Sequence, residues 1–313
     1  MVYQVLGKTG LEVSLASLGS GGHSRIGLAT GRSAAESIAV VRHALEQGVN
    51  LIDSSEIYGT EELVGKAIAG WPRRNVILST KAAMTRDNRL KTSSQLEQSL
   101  DGSLKRLQTD YVDIYHLHAV QSSDYDYASR ELVPVLQKLK RQGKIRFIGI
   151  TEAFASDPTH ETLQLAVRDD CWDVMMVGFN LLNQSARTRV IEPARQKNIG
   201  ILDMFAVRKA LISPENLAAQ LSYLFDKELL DPDAIDLKDP LADVMTSSGC
   251  RSLTELAYRF CIGEPGIHSV LSGTGNLAHL KDNLRDIARG PVPEVARNKL
   301  VSLFARVDCV SGQ

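Results

Sequence analysis

The segment Asp53-Ser54-Ser55-Glu56-Ile57-Tyr58-Gly59 follows the apolar run Val49 to Ile52 and leads into a helix-like stretch. A carboxylate and a phenol at such a strand end make a poor core and a good proton-transfer site. Lys81 closes the next apolar run, Val76 to Lys81, and His118 closes the one after it, Tyr111 to His118. A free phenol ionises near pH ~10, too high for easy proton transfer near neutrality. A neighbouring ammonium favours the phenolate, so Lys81 is expected to draw the Tyr58 pKa down toward working pH. Asp53 would keep Lys81 charged and in place, and His118 would orient a carbonyl oxygen or share the proton. Taken singly, each residue has a plainer reading: Asp53 as a turn cap, Tyr58 as a half-buried aromatic, Lys81 as a snorkelling lysine, His118 as a satisfied histidine. Their order at successive strand ends favours chemistry.

Residues so far apart meet only if the strands converge. Strand-like runs fall at Leu15–Leu18, Asn50–Asp53, Val76–Lys81, Val112–His118, Phe147–Thr151, Val174–Phe179, Gly200–Met204 and His268–Ser272. Helix-like runs lie at Ala34–Gln47, Glu61–Ala69, Ser93–Leu107, Leu132–Gln142, Glu161–Arg168, Arg189–Lys197, Leu253–Cys261 and Leu277–Ala288. In one of them Leu96, Leu100, Leu104 and Leu107 have the rhythm of a buried helical face, with Ser93 or Ser94 as cap and Glu97 in the first turn. Strict alternation of strand and helix predicts a parallel sheet, and eight units predict a closed (β/α)8 TIM barrel. An open dinucleotide-binding sheet would want Gly-x-Gly-x-x-Gly after the first strand, and Gly19-Ser20-Gly21-Gly22 lacks that spacing. In a barrel the strand C-termini share one mouth, and period-two alternation lets Lys81 and His118 both face inward there.

The whole chain, 1–313, reads as a single barrel domain. The stretch 208–250 interrupts the rhythm after the seventh strand, as a lid or as a helical surface insertion. Val295–Val307 reads as an extra C-terminal helix capping the barrel. Asp124-Tyr125-Asp126-Tyr127 could line a sugar site, but a wet surface is the favoured reading.

With 43% apolar and 23% charged residues and a net charge of -1, the chain can bury a large core and carries no basic block for nucleic acid. No apolar run approaches the ~20 residues that span a bilayer, and Met1-Val2-Tyr3-Gln4 has no secretory character. The four cysteines (Cys171, Cys250, Cys261, Cys309) are scattered, so a reduced, cytoplasmic protein without a structural metal is expected. His116-x-His118 could read as metal ligation in a barrel hydrolase, but further ligands are wanting, and His116 reads better as a polar layer below His118. Oligomeric state is unspecified.

The residues above carry a family resemblance that covers nearly the whole chain. Asp53, Tyr58, Lys81 and His118 match the Asp-Tyr-Lys-His tetrad of the aldo/keto reductases, and Val5–Ser14 resembles that family's opening β-hairpin. Phe147–Thr151 and Ser272–Asn276 match its cofactor-side segments more loosely. The resemblance implies hydride exchange between a small-molecule carbonyl or sugar and NAD(P)H, with Tyr58 as general acid or base. A nucleotide-binding regulatory subunit on the same barrel is the alternative.

The same resemblance places the nicotinamide carboxamide at Thr151 and Glu152, where the family has Ser-Asn. Asn180 would compensate for Met176, which stands in place of a glutamine, and Phe205 would stack on the ring. The adenine end falls on Ser272, Gly273, Thr274, Gly275, His279 and Asn283. Members tuned to NADPH carry cations where this chain has Gly273 or Gly275 and His279, so acceptance of NADH is expected.

Overall fold

The computed structural model describes residues 1–313 apart from the side chain of Pro232. Eight strands close into a barrel in chain order: Ala16–Gly19, Leu51–Asp53, Ile77–Ala83, Val112–Val120, Ile145–Glu152, Val174–Gly178, Gly200–Met204 and Ser269–Ser272. Every neighbouring pair is parallel, and the eighth strand pairs with the first through Val270 and Ala16. The third and fourth strands run two residues beyond the ends expected from the apolar runs. They pair with each other as far as Ala83 opposite His118, so the ladder satisfies backbone groups past Lys81, where the single polar residue had marked the end of the apolar run.

Alternation divides the side chains. Leu51, Ile77, Ile114, Val174, Met176, Leu202 and Met204 form one apolar cluster inside the barrel. Leu6, Leu11 and Val13, from the antiparallel hairpin Tyr3–Val5 and Glu12–Ser14, join it. Leu6 lies against Gly200 at the start of the seventh strand, so the hairpin plugs the end opposite the strand C-termini. The intervening residues face outward and pack on the helices, among them Ile52, Leu78, Tyr115, Leu117, Ile148, Val177 and Ile201. Burial of this kind stabilises by ~25 cal/mol per Å² of apolar surface.

The helices follow their apolar faces. In Ser93–Leu107 the residues Leu96, Leu100, Leu104 and Leu107 are buried. The cap is Thr92 rather than Ser93 or Ser94: its hydroxyl accepts from Gln95 N, and the Gln95 side chain accepts from Thr92 N. Thr92 is still extended, whereas the two serines are already inside the first turn, where a side chain cannot cap. Expected helices at Leu132–Gln142 and Arg189–Lys197 each begin as a π turn, Ala128–Leu132 and Arg187–Ile191, before continuing as Val133–Arg141 and Glu192–Gln196.

The stretch after the seventh strand is helical at Pro214–Asp226 and Ala242–Ser248. Leu217, Leu221, Leu224 and Val244 pack on the outer cluster. The C-terminal helix, Glu294–Leu303, buries Ala296 and Leu300. Tyr125 is buried, contrary to the surface reading, because its hydroxyl donates to Asp169 at 2.5 Å and accepts from Trp172 Nε1 at 3.1 Å. No helix among the described residues is long and apolar enough to cross a membrane.

Candidate active site

Asp53 closes the second strand and points into the barrel mouth, where it is buried. Its Oδ2 accepts from Lys81 Nζ at 2.5 Å and its Oδ1 from the Ser79 hydroxyl at 2.7 Å. Lys81 Nζ also donates to the Ser54 carbonyl at 2.7 Å. Burial raises the Asp53 carboxyl above its usual range, with Lys81 and Ser79 working against it. For Lys81, burial pulls the pKa down, but Asp53 and then Tyr58 outweigh it. The net direction is up, so the amine stays an ammonium. A buried charge pair of this kind persists only when its remaining hydrogen bonds are made, and Ser79 and Ser54 make them.

Tyr58 sits in the loop beyond, half-buried, its N–H donating to Ser55 O. Its ring lies on the backbone of Gly21: a Cβ there would fall 2.4 Å from Cε2, so only glycine fits beneath the phenol. Lys81 Nζ is 5.2 Å from the ring centroid, and the Tyr58 hydroxyl is 3.2 Å from His118 Nε2. The expected downward pull on this phenol is overturned. Burial is the largest influence and raises its pKa, Asp53 adds to the rise, and the Lys81 charge offsets only part of it. Tyr58 is therefore a neutral phenol that holds its proton near neutrality, a donor rather than a base.

His118 is driven down to about 3 by burial and by the charges of Lys81 and Lys91, so its imidazole is neutral. Its Nδ1 lies 3.1 Å from Ser55 Oγ, which itself lies 3.3 Å from the Lys81 carbonyl. With the serine proton on that carbonyl, Nδ1–H donates to Ser55 and Nε2 is left to accept from the Tyr58 hydroxyl. Beneath this set, His116 Nε2 is 3.1 Å from Ser79 Oγ, and burial holds this imidazole neutral as well. His116 is thus the polar layer expected, bound to Ser79. Glu56, inside the same motif, accepts from Ala83 N at 2.7 Å and pairs with the buried Lys91, which ties the Tyr58 loop to the third strand.

Ser55, Ser79, Gly21 and Lys91 are site residues that the sequence analysis passed over. Ser79 was within reach, because it alternates with Ile77 and Lys81 on the inward face. Gly21 carried no signal of its own.

The residues expected at the cofactor are differently placed. Thr151 is buried and its Oγ1 accepts from Ala119 N at 2.7 Å, which leaves its own proton to give. Glu152, the next residue, turns outward. Both its oxygens accept from His160 Nδ1, at 3.0 and 2.9 Å, and Oε1 also accepts from Gly178 N at 2.7 Å, so it has little left for a ligand. Asn180 is similarly committed: Oδ1 accepts from Leu182 N and Asn183 N, and Nδ2 donates to Phe205 O and Ser311 O.

Phe205, at φ 70, packs on Phe154 at 6.2 Å between centroids, and the Arg208 guanidinium covers its ring at 3.9 Å. Phe154 fills the space above Gly178, where a Cβ would fall 2.2 Å from its ring. Across the mouth, Ser272 Oγ accepts from Asn283 Nδ2 at 2.9 Å and from the Tyr258 hydroxyl at 3.1 Å. Gly273 is exposed, Thr274 Oγ1 accepts from Asn276 N, and His279 is exposed on the following helix. Gly275 is buried against the loop at Gly27, whose N would be 2.1 Å from a Cβ, so steric need already explains that glycine.

The protein is thus a parallel eight-stranded barrel with a phenol, an ammonium, a carboxylate and an imidazole gathered at its C-terminal mouth, groups able in principle to move a proton. The sequence model of the aldo/keto reductase family matches residues 17–297, and the chain belongs to that family of oxidoreductases. It is 38% identical to the aldo-keto reductase YhdN of Bacillus subtilis (strain 168), over 304 residues that cover 87% of this chain and 85% of the relative. It is 29% identical to an L-galactose dehydrogenase of Arabidopsis thaliana, over 292 residues covering 90% and 86%. The fold is that of the aldo-keto reductase AKR11C1 from Bacillus halodurans in its holo form: TM-score 0.76, 22% identity, covering 99% of this chain and 98% of that one.

Proposed function

We propose that this protein interconverts an aldehyde, ketone or sugar carbonyl with its alcohol, using NAD(P)(H). The reading rests on one observation: the half-buried Tyr58 hydroxyl hydrogen-bonded to neutral His118, above the buried Asp53–Lys81 pair. Hydride is the one ingredient no side chain can give, and the dinucleotide would supply it. Tyr58 donates its proton to the carbonyl oxygen. Lys81 stabilises the phenolate left behind, Asp53 keeps Lys81 charged, and neutral His118 positions the Tyr58 hydroxyl through Nε2.

The residues present fit such a dinucleotide. Thr151 has a proton to donate, Ser272 and Asn283 form a polar pair on the eighth strand side, and Gly273 exposes its backbone. With no guanidinium at Gly273, Gly275 or His279 to recognise a 2′-phosphate, NADH is accepted alongside NADPH. The likeness to an L-galactose dehydrogenase favours a sugar among the possible substrates. Residues 1–313 act as one barrel unit, working in the cytoplasm.

Fluorescence titration with NADH and NADPH, followed by a panel of aldehydes, ketones and aldoses, tests the proposal. Binding of either dinucleotide and turnover on the panel are expected. Failure to bind either one would sink it, as would a Tyr58→Phe variant that keeps more than about a tenth of the rate.

A further inference from the structure

The fourth and fifth strands stay in step from Ile114 opposite Phe147 to Leu117 opposite Ile150, and resume with Val120 opposite Glu152. Two residues, His118 and Ala119, therefore stand against one, Thr151. The extra residue is a β-bulge, and it falls beside a member of the proton-transfer set. Its effect on alternation is visible in the packing. Leu117 and Val120 both lie in the outer cluster, which three residues of regular strand would forbid.

The bulge carries strain. Ala119 has φ 51, a left-handed conformation in which a Cβ is disfavoured. Such a conformation persists only where the surroundings fix it. Here the fixing contact is one hydrogen bond from the neighbouring strand: Ala119 N–H donates to Thr151 Oγ1 at 2.7 Å, and Thr151 is buried. The residue just before the strained one is His118. Its ring is held from the other side, by Ser55 Oγ at 3.1 Å and the Tyr58 hydroxyl at 3.2 Å. The imidazole is thus gripped at its ring by the Tyr58 loop and at its backbone through Thr151.

We propose that Thr151 is a positioning residue for proton transfer, whose hydroxyl fixes the bulge and so sets where His118 meets Tyr58. The inference rests on the function proposed above and deepens it. One hydroxyl can accept from Ala119 and still donate its own proton to a dinucleotide. The two tasks have different readouts. Holding the bulge acts on the chemical step and only through His118, whereas donating to the dinucleotide acts on its binding.

The test is a double-mutant cycle of Thr151→Val with His118→Gln, with Thr151→Ser and a melting curve for each protein. Rates are taken from single turnovers with saturating dinucleotide and a carbonyl substrate that the wild type turns over, and Kd values from fluorescence titration with NADH. Thr151→Val keeps the shape and loses the hydroxyl, and its single-turnover rate should fall about tenfold from the displaced imidazole. With His118→Gln already present, the same substitution should cost less than about twofold, because the group it positions is gone. Thr151→Ser restores the acceptor and should leave only about a threefold loss. Should Thr151→Val not fold, Ala119→Val decides alone. A β-branched residue does not hold φ 51, so the rate should again fall about tenfold, with the NADH Kd within about twofold of wild type.

A single-turnover rate within about twofold of wild type, in Thr151→Val or in Ala119→Val where that variant decides, overturns the proposal. So does a rate loss that persists in full beside His118→Gln, or a Thr151→Ser protein no faster than Thr151→Val. A raised NADH Kd with an unaltered rate assigns the hydroxyl to the dinucleotide alone and also overturns it. Wild-type protein that turns over no carbonyl or sugar defeats the proposed function itself, an outcome distinct from a silent Thr151 substitution in an active protein.

Discussion

The ends of the second to fourth strands and the ends of the fifth and sixth each bury a carboxylate beside a basic side chain, with opposite results. In the first group the Asp53–Lys81 pair leads outward, through the neighbourhood of Tyr58 and His118, to a phenol only half-buried. In the second, Glu152 and His160 are both wholly buried, and the chain of contacts runs on to Ser185 and Asn183. That network closes on itself: Glu152 takes the Gly178 N–H, Ser185 donates to Asn183, and His160 stacks on Phe154 at 5.3 Å. The residue types alone would suit proton relay in either place. The first ends in a phenol whose hydroxyl has His118 as its hydrogen-bond partner, whereas the second ends in a serine hydroxyl engaged by His160, Pro158 and Asn183; chemistry is therefore proposed at the first and a clamp between strand ends at the second.

The comparison breaks most sharply at Tyr58. Tyr58→Phe should lower turnover by about 10²–10⁴-fold, the usual worth of a positioned general acid, while the melting curve stays close to wild type. A large loss of stability instead would make Tyr58 part of a clamp too. Next in size, Lys81→Ala leaves Asp53 buried without its counter-charge and should cost about 3–5 kcal/mol in denaturant unfolding. His160→Ala is the matching cut in the second region. It removes the donor to Glu152 and should cost about 2–4 kcal/mol, with the rate per folded molecule little changed. A rate loss comparable to that of Tyr58→Phe would erase the distinction between the two regions.

Gly21→Ala sharpens it from the other side. The new Cβ must displace the Tyr58 ring, and a rate loss of about tenfold is expected from the shifted hydroxyl, with little effect on dinucleotide Kd.

Smallest is the effect of pH. His118, at about 3, stays neutral, so the rate profile should lack a limb near the ordinary histidine value of ~6.5. Because the unfolded chain protonates this histidine first, its contribution to stability is present above ~6.5 and is lost as pH falls toward 3. His118→Gln should flatten that acid-side loss in urea unfolding measured between pH 4 and 7, and an unchanged slope would show that another group is responsible.

Much of the fold was legible because periodicity reports burial. All eight strand runs and the helices between them announce themselves by which residues must leave water, as Leu96, Leu100, Leu104 and Leu107 do. The four residues at the strand ends were legible because topology makes strand C-termini converge. The cap at Thr92 and the burial of Tyr125 were not, since each turns on one hydrogen-bond partner: Gln95 in the first case, Asp169 and Trp172 in the second.

From residue order alone came the alternation of strand and helix, the closed barrel and the set Asp53, Tyr58, Lys81 and His118. These depend on side-chain type and on spacing along the chain, both of which are local. The tertiary structure decided that Glu152 and Asn180 are consumed by neighbours, that Tyr58 keeps its proton, that Gly21 is the floor beneath it, and that the Arg208 guanidinium lies on the Phe205 ring. Those properties come from solvent exclusion and from which atoms meet across the mouth, and both are set by contacts between segments far apart in the chain.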